Sequence, residues 1–167
     1  IAWCFGGFLE GMAGFGSAVA IPASMLVALG LNPVTAILAC LLSNGVPTMF
    51  GSIGIPTNTL ASITGLDVIQ LSQVQVIQVA PFVILTPFLV CIVAGGGPKA
   101  LKGMVPLLLV TSLSFLGAEF VTASFIGADL AVVVGAVAAL ICTIVYALSQ
   151  KKKPVPEDYA IDALPQG

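Results

Sequence analysis

The sequence holds no histidine and no arginine, and its charged residues amount to 7% of 167 positions. A soluble domain carries about 25% charged residues, so most of this chain faces lipid or other helices rather than water. With five lysines as its only basic side chains, it has almost no electrostatic footing on a nucleic-acid backbone. The net charge of −2 says little, because Glu157, Asp158 and Asp162 lie together in one polar tail. The four cysteines, Cys4, Cys40, Cys91 and Cys142, stand far apart in apolar runs with no CxxC spacing. They read as small buried side chains rather than a zinc site or redox pair. No metal ligand set or cofactor motif is found, and no cofactor is expected. An initiating methionine, a positive n-region and a cleavage site are likewise missing from "IAWCFGGFLEG". No signal peptide is expected, and the chain reads as part of a longer protein.

Apolar length is abundant. A crossing helix needs about 20 mostly apolar residues, and the runs at 76–95, 104–126 and 129–148 satisfy this. The run at 33–55 is long enough but is interrupted by "SNGVPT". Residues 1–30 are apolar but broken by glycine into pieces too short for a full crossing, as in a re-entrant or broken helix. The expected fold is therefore an all-α integral membrane protein, with a transmembrane region over 1–148 and a polar cytosolic linker or tail over 149–167. The tight "GAD" corner at 127–129 makes a hairpin of the last two spans. All five lysines (99, 102, 151, 152 and 153) then fall on one face, which the positive-inside rule makes cytoplasmic. Residues 56–75, with one acid and no base, read as the external loop.

Glu10 stands alone in "FGGFLEGMAGFGSAVAIP" with no cation in its segment. A charge inside a bilayer costs several kcal/mol, so protonation or a bound cation is the expected escape, and Glu10 is a candidate coupling residue. The alternative is an acid at the water interface. Gly11, Gly14 and Gly16 do not form a dinucleotide fingerprint, because position 19 is valine and no strand precedes them. Gly7 and Gly11 have the GxxxG spacing of close helix packing, which competes with a functional reading of the glycines but leaves Glu10 unexplained. Gly14 and Gly16 are expected to form a non-helical tip, after which a fresh helix start offers unpaired N–H groups. Ser17 would supply a capping hydroxyl there, making a seat for a small anion. In the second interrupted run, Ser43, Asn44, Thr48 and Ser52 surround Gly45 and Pro47. Two broken apolar segments rich in small polar residues point to a transporter's midplane site; kinks of purely structural origin are the competing reading. Glu119 is weighed between a proton relay and an interfacial acid, the interface being slightly favoured. Asp129 reads as an ordinary N-cap, Trp3 as an interfacial anchor, and Asp67, Gln70, Gln73, Gln75 and Gln78 as structural.

The stretches "FLEGMAGFGSAVAIPASMLVALGLNP", "LLSNGVPTMFGSIGIP" and "LSFLGAE" closely resemble the bacterial L-lactate permease family, a likeness covering residues 3–148. The resemblance implies a proton-coupled carrier of lactate and related 2-hydroxymonocarboxylates such as glycolate. It also implies an ion-transporter fold of two inverted repeats, re-entrant hairpins meeting broken helices, and a position inside a longer carrier with the tail as a cytosolic join. Glu10 and residues 11–17 match the family's glycine-rich motif, and 43–48 match its interrupted helix. Around Glu119 the family pattern has proline where this chain has Ala118, Phe120 and Val121, so the borrowed role for that acid is the weaker one. The expected protein is a cytoplasmic-membrane proton symporter whose substrate rests on Gly14, Gly16, Ser17, Ser43, Asn44 and Thr48, with Glu10 and Glu119 as proton-coupling candidates. Its partners would be the organic anion, protons and lipid, with no nucleic acid; a homo-oligomer is compatible with the sequence. The alternatives are a sodium-coupled organic anion carrier, a non-transporting scaffold, or a subunit of a membrane-embedded enzyme.

Overall fold

The computed structural model describes residues 1–14 and 16–150, and every regular element among them is helical. The order is α1 (Cys4–Met12), α2 (Ser17–Ala28), α3 (Pro33–Asn44), a 3-10 turn (Pro47–Phe50), α4 (Gly51–Thr64) and α5 (Val68–Ala94). A second 3-10 turn (Pro98–Leu101), α6 (Val105–Phe125) and α7 (Ala131–Ser149) follow. Helices α5, α6 and α7 are long and apolar enough to cross a bilayer, and α3 with the Pro47–Thr64 segment forms a pair bent by 58°. The chain is thus an all-helical, multi-pass membrane protein. Residues 151–167, which hold most of the expected polar tail, lie outside the described residues.

Helix α1 ends at Met12 because glycine takes over: Gly14 has φ +58° and Gly16 has φ +89°, the left-handed region that glycine enters without steric cost. The chain reverses there. A methyl group on Gly6 would stand 3.4 Å from the Ala18 carbonyl oxygen, so α1 and α2 fold back on one another as a hairpin of short helices. At about 1.5 Å per residue neither crosses the hydrocarbon core alone. Helix α3 begins at Pro33 under an N-cap, Asn32, whose side chain accepts from the Val34 N–H at 3.0 Å.

The glycine pair at GxxxG spacing does what small residues do between membrane helices. A methyl on Gly7 would meet the Phe115 ring at 3.4 Å, and one on Gly11 would meet Val133 Cγ2 at 2.7 Å. Gly7 and Gly11 therefore seat α1 on α6 and α7. Those two run antiparallel: Thr111 and Thr143 hydroxyls share a 2.7 Å hydrogen bond, and Gly135 lies against Glu119. The core they form includes Phe50, Val76, Val83, Phe115 and a run of alanines on α7.

Three expectations are corrected. Residues 56–75 are not a loop, since α4 continues to Thr64 and α5 starts at Val68, leaving only 65–67 as a turn. Asp67 caps α5 by accepting from the Gln70 N–H at 2.9 Å, and Thr57 donates to Gln75 Oε1 at 2.8 Å, which absorbs the polar side chains into helices. Trp3 is no interfacial anchor: it is 7% exposed and packs on Phe115 with ring centroids 5.1 Å apart. Asp129 does not cap α7, whose N-cap is Leu130; its carboxylate instead accepts from the Asn58 amide, fastening α4 to the 127–129 corner.

Candidate functional site

The second break is sharper than its sequence suggests. Within α4, Ser52, Ile53 and Gly54 have φ of +50°, +58° and +69°, three consecutive residues in left-handed backbone. For a β-branched residue such as Ile53 this is a genuine outlier, of the kind that costs about 1–3 kcal/mol and clusters at ligand sites. The neighbouring glycines show what holds it. A side chain at Gly14 would collide with Ser52, and one at Gly54 would stand 2.7 Å from the Ala128 carbonyl carbon. Ser52 Oγ donates to the Ala13 carbonyl at 3.2 Å. The break in α4 is therefore wedged between the tip of the α1–α2 hairpin and the α6–α7 corner.

Glu10 sits at this junction. It is 4% exposed, and its carboxyl lies over Gly51, where an added Cβ would stand 2.5 Å from Oε1. Asn44 lies beside it, and Glu10 Oε2 and Asn44 Oδ1 are both buried without a hydrogen-bond partner. Around them opens a cavity of about 290 Å³, lined by Glu10, Gly16, Asn44, Thr48, Ser52 and Pro56 among others. An apolar groove of about 840 Å³ between α2 and α3 shares Gly16 and Asn44 with it.

Of the residues expected to hold substrate, Gly16, Asn44 and Thr48 line this cavity and the other three do not. Gly14 packs against Ser52. Ser43 is 2% exposed and donates to the Ala39 carbonyl at 2.9 Å. Ser17 does not cap α2 from outside: Gly16 is the N-cap, and the Ser17 hydroxyl donates to the Gly14 carbonyl at 2.8 Å, stapling the hairpin tip. Glu119 is separate from the cavity and is not interfacial. It is 0% exposed on α6 opposite Gly135, with neither carboxyl oxygen hydrogen-bonded. What removes it from water is α7, which packs across it at Gly135.

Sequence reasoning missed Gly51 and the left-handed turn at 52–54. The run "MFGSIGIP" carries two glycines and a proline, but Ser and Ile at positive φ leave no local signal. Among the described residues no cluster of His, Cys, Asp or Glu is arranged to hold a metal ion.

Comparison with known proteins follows the same residues. The sequence model of the L-lactate permease family matches residues 1–160. An L-lactate permease of Streptococcus iniae is 43% identical over 146 residues, covering 87% of this chain and 31% of that protein. One from Bacillus subtilis strain 168 is 38% identical over 146 residues, covering 87% of this chain and 26% of its own length. A glycolate permease of Escherichia coli K12 is 34% identical over 141 residues, covering 84% and 25% respectively. The chain thus spans about a third or less of the length of these curated relatives. No solved structure matches it significantly. A family match running through the α1–α2 hairpin, the bent α3–α4 pair and all three long helices leaves one conclusion: the chain belongs to the L-lactate permease family.

Proposed function

We propose that this chain forms the substrate and proton region of a cytoplasmic-membrane carrier that imports L-lactate or a close 2-hydroxymonocarboxylate with protons. The observation that carries the reading is Glu10: a buried carboxyl with an unpartnered oxygen, beside Asn44, in a small cavity where two helix breaks meet. Unwound backbone is tolerated at membrane depth only where protein buries it or a cavity hydrates it, and broken helices around a midplane cavity are how secondary transporters bind cargo. The relatives' substrates, lactate and glycolate, are small 2-hydroxy acids that a cavity of about 290 Å³ accommodates.

In this reading Gly16, Asn44 and Thr48 touch the substrate, while Gly14, Ser17 and Ser43 hold the breaks in shape. Glu10 carries the coupled proton. Glu119 is a second proton site, reached when α6 and α7 shift. Residues 1–148 are the transporter region, and 149–167 join it to the rest of the carrier on the cytosolic side. One proton carried with a monoanion moves no net charge, so the pH gradient is the drive, at about 1.4 kcal/mol or tenfold accumulation per pH unit.

The test is uptake of labelled lactate by the full-length carrier in proteoliposomes under imposed pH and sodium gradients. Wild-type uptake should follow the pH gradient and ignore sodium. Glu10→Gln should lose pH-driven accumulation and keep lactate–lactate exchange, and Glu119→Gln should slow accumulation with exchange retained. Sodium-driven uptake, or unchanged accumulation by Glu10→Gln, would refute the assignment.

A further inference from the structure

We infer that the coupled proton is itself the bond to the substrate: protonated Glu10 donates Oε2–H to the substrate's carboxylate, while Asn44 Oδ1 accepts the substrate's 2-hydroxyl. This rests on the proton-coupled reading above and assigns its contacts.

The inference comes from counting donors. A carboxylate binds only where hydrogen-bond donors or cations meet it. Helix α1 packs on α2, α3, the Pro47–Phe50 turn, α4 and α7, and none of these carries Lys, Arg or His. With α6, which Gly7 meets at Phe115 and which likewise has no base, their titratable side chains besides Glu10 are the Glu119 carboxyl, the thiols of Cys4, Cys40 and Cys142 and the phenol of Tyr146. The hydroxyls nearby have already used their hydrogens: Thr48 donates to the Asn44 carbonyl, Ser52 to Ala13, Ser17 to Gly14 and Ser43 to Ala39. What is left over is the Asn44 amide NH2 and two buried oxygens, Glu10 Oε2 and Asn44 Oδ1.

Two bare oxygens repel a carboxylate, the more strongly in a medium of low dielectric. A proton on Oε2 reverses that. It turns Glu10 into a donor at the cavity wall, and the start of α2 at Gly16, the positive end of that helix, lines the same cavity. Asn44 Oδ1 then needs a donor of its own, and a 2-hydroxyl placed one carbon from the carboxylate supplies it. Without the proton the anion meets the Asn44 amide beside a bare Glu10 oxygen that repels it, so neither partner binds well alone. That mutual requirement is the coupling. Without the hydroxyl, Asn44 Oδ1 stays buried and unpaired, which is how a polar site rejects an analogue lacking the group it reads.

Lactate binding to the purified full-length carrier at pH 6 to 8, with propionate as competitor, tests both halves. Wild-type affinity for lactate should fall by up to about tenfold per pH unit as Glu10 deprotonates. Glu10→Gln, whose amide donates at every pH, should bind lactate within about threefold across that range, and Glu10→Ala should lose binding at every pH, as expected where one donor is obligatory. Wild type should prefer lactate to propionate by at least about tenfold, and Asn44→Leu should bring that ratio to within about threefold of unity; Asn44→Ala reads the same loss where Leu disturbs folding. A Glu10→Gln carrier that keeps the wild-type pH slope, or an Asn44 variant that keeps the preference, overturns the inference while pH-driven uptake by the wild type still stands. A wild type with no pH-driven uptake takes down the proton-coupled reading and this one with it.

Discussion

Glu10 and Gly51 form a pair of which only one member is visible in the sequence. The acid announces itself as the single charge in an apolar run, and it is 4% exposed. Gly51 is one glycine among 18, and nothing local shows that the Glu10 carboxyl rests on it. Because an added Cβ would stand 2.5 Å from Glu10 Oε1, Gly51→Ala must push the carboxyl off its seat beside Asn44. Expression and membrane insertion should be retained, with pH-driven lactate uptake down at least about tenfold; a 1 Å misplacement suffices for losses of that size and larger. Wild-type uptake by Gly51→Ala would show that the carboxyl's position is unimportant. Glu119 carries the opposite lesson. Its spacing from the helix end suggested water, and only α7 packed across it removes the water.

At the scale of elements, the glycine-rich motif serves two purposes that a one-dimensional reading had set against each other. Gly7 and Gly11 are packing glycines, and Gly14 and Gly16 are conformational ones with positive φ. The first pair brings α1 onto α6 and α7, and the second turns the chain back into α2. Glu10 lies between Gly7 and Gly11, four residues before Gly14, and is thereby held against α4. Gly11→Leu would force a bulky side chain into Val132 and Val133. Overpacking of this kind costs typically about 1–3 kcal/mol, so the detergent-solubilised carrier should unfold several degrees lower while Gly117→Ala, on α6 with open space around it, shifts it little. Equal melting temperatures for Gly11→Leu and wild type would mean that α1 does not seat on α7 in the intact carrier.

For the whole molecule, the antiparallel α6–α7 pair puts the Lys99 and Lys102 connection at the same end as the close of α7, and the 127–129 corner at the other. The positive-inside rule orients that bundle. Lys102→Cys in an otherwise cysteine-free carrier should react with a membrane-impermeant maleimide only in inverted vesicles, and Leu66→Cys only from outside intact cells. The reverse pattern would invert the topology. The large apolar side chains exposed along α5, α6 and α7, among them Phe82, Leu113, Phe125 and Ile141, then meet lipid or the remaining two-thirds or more of a family-length carrier.

What the sequence by itself determined was class and location. Scarce charge and long apolar runs require a membrane, because desolvating charges is costly whatever the fold. Glycine and proline interrupt helices by their own covalent geometry, so the two broken segments and the isolated acid in the first of them were readable residue by residue. Only the tertiary structure decided what those pieces meet. That Glu119 is sealed, that Trp3 belongs to the core, and that Ser52 and Ile53 accept left-handed geometry all follow from contacts between helices far apart in the chain. Such contacts obey shape and register across the bundle, and no local periodicity encodes them.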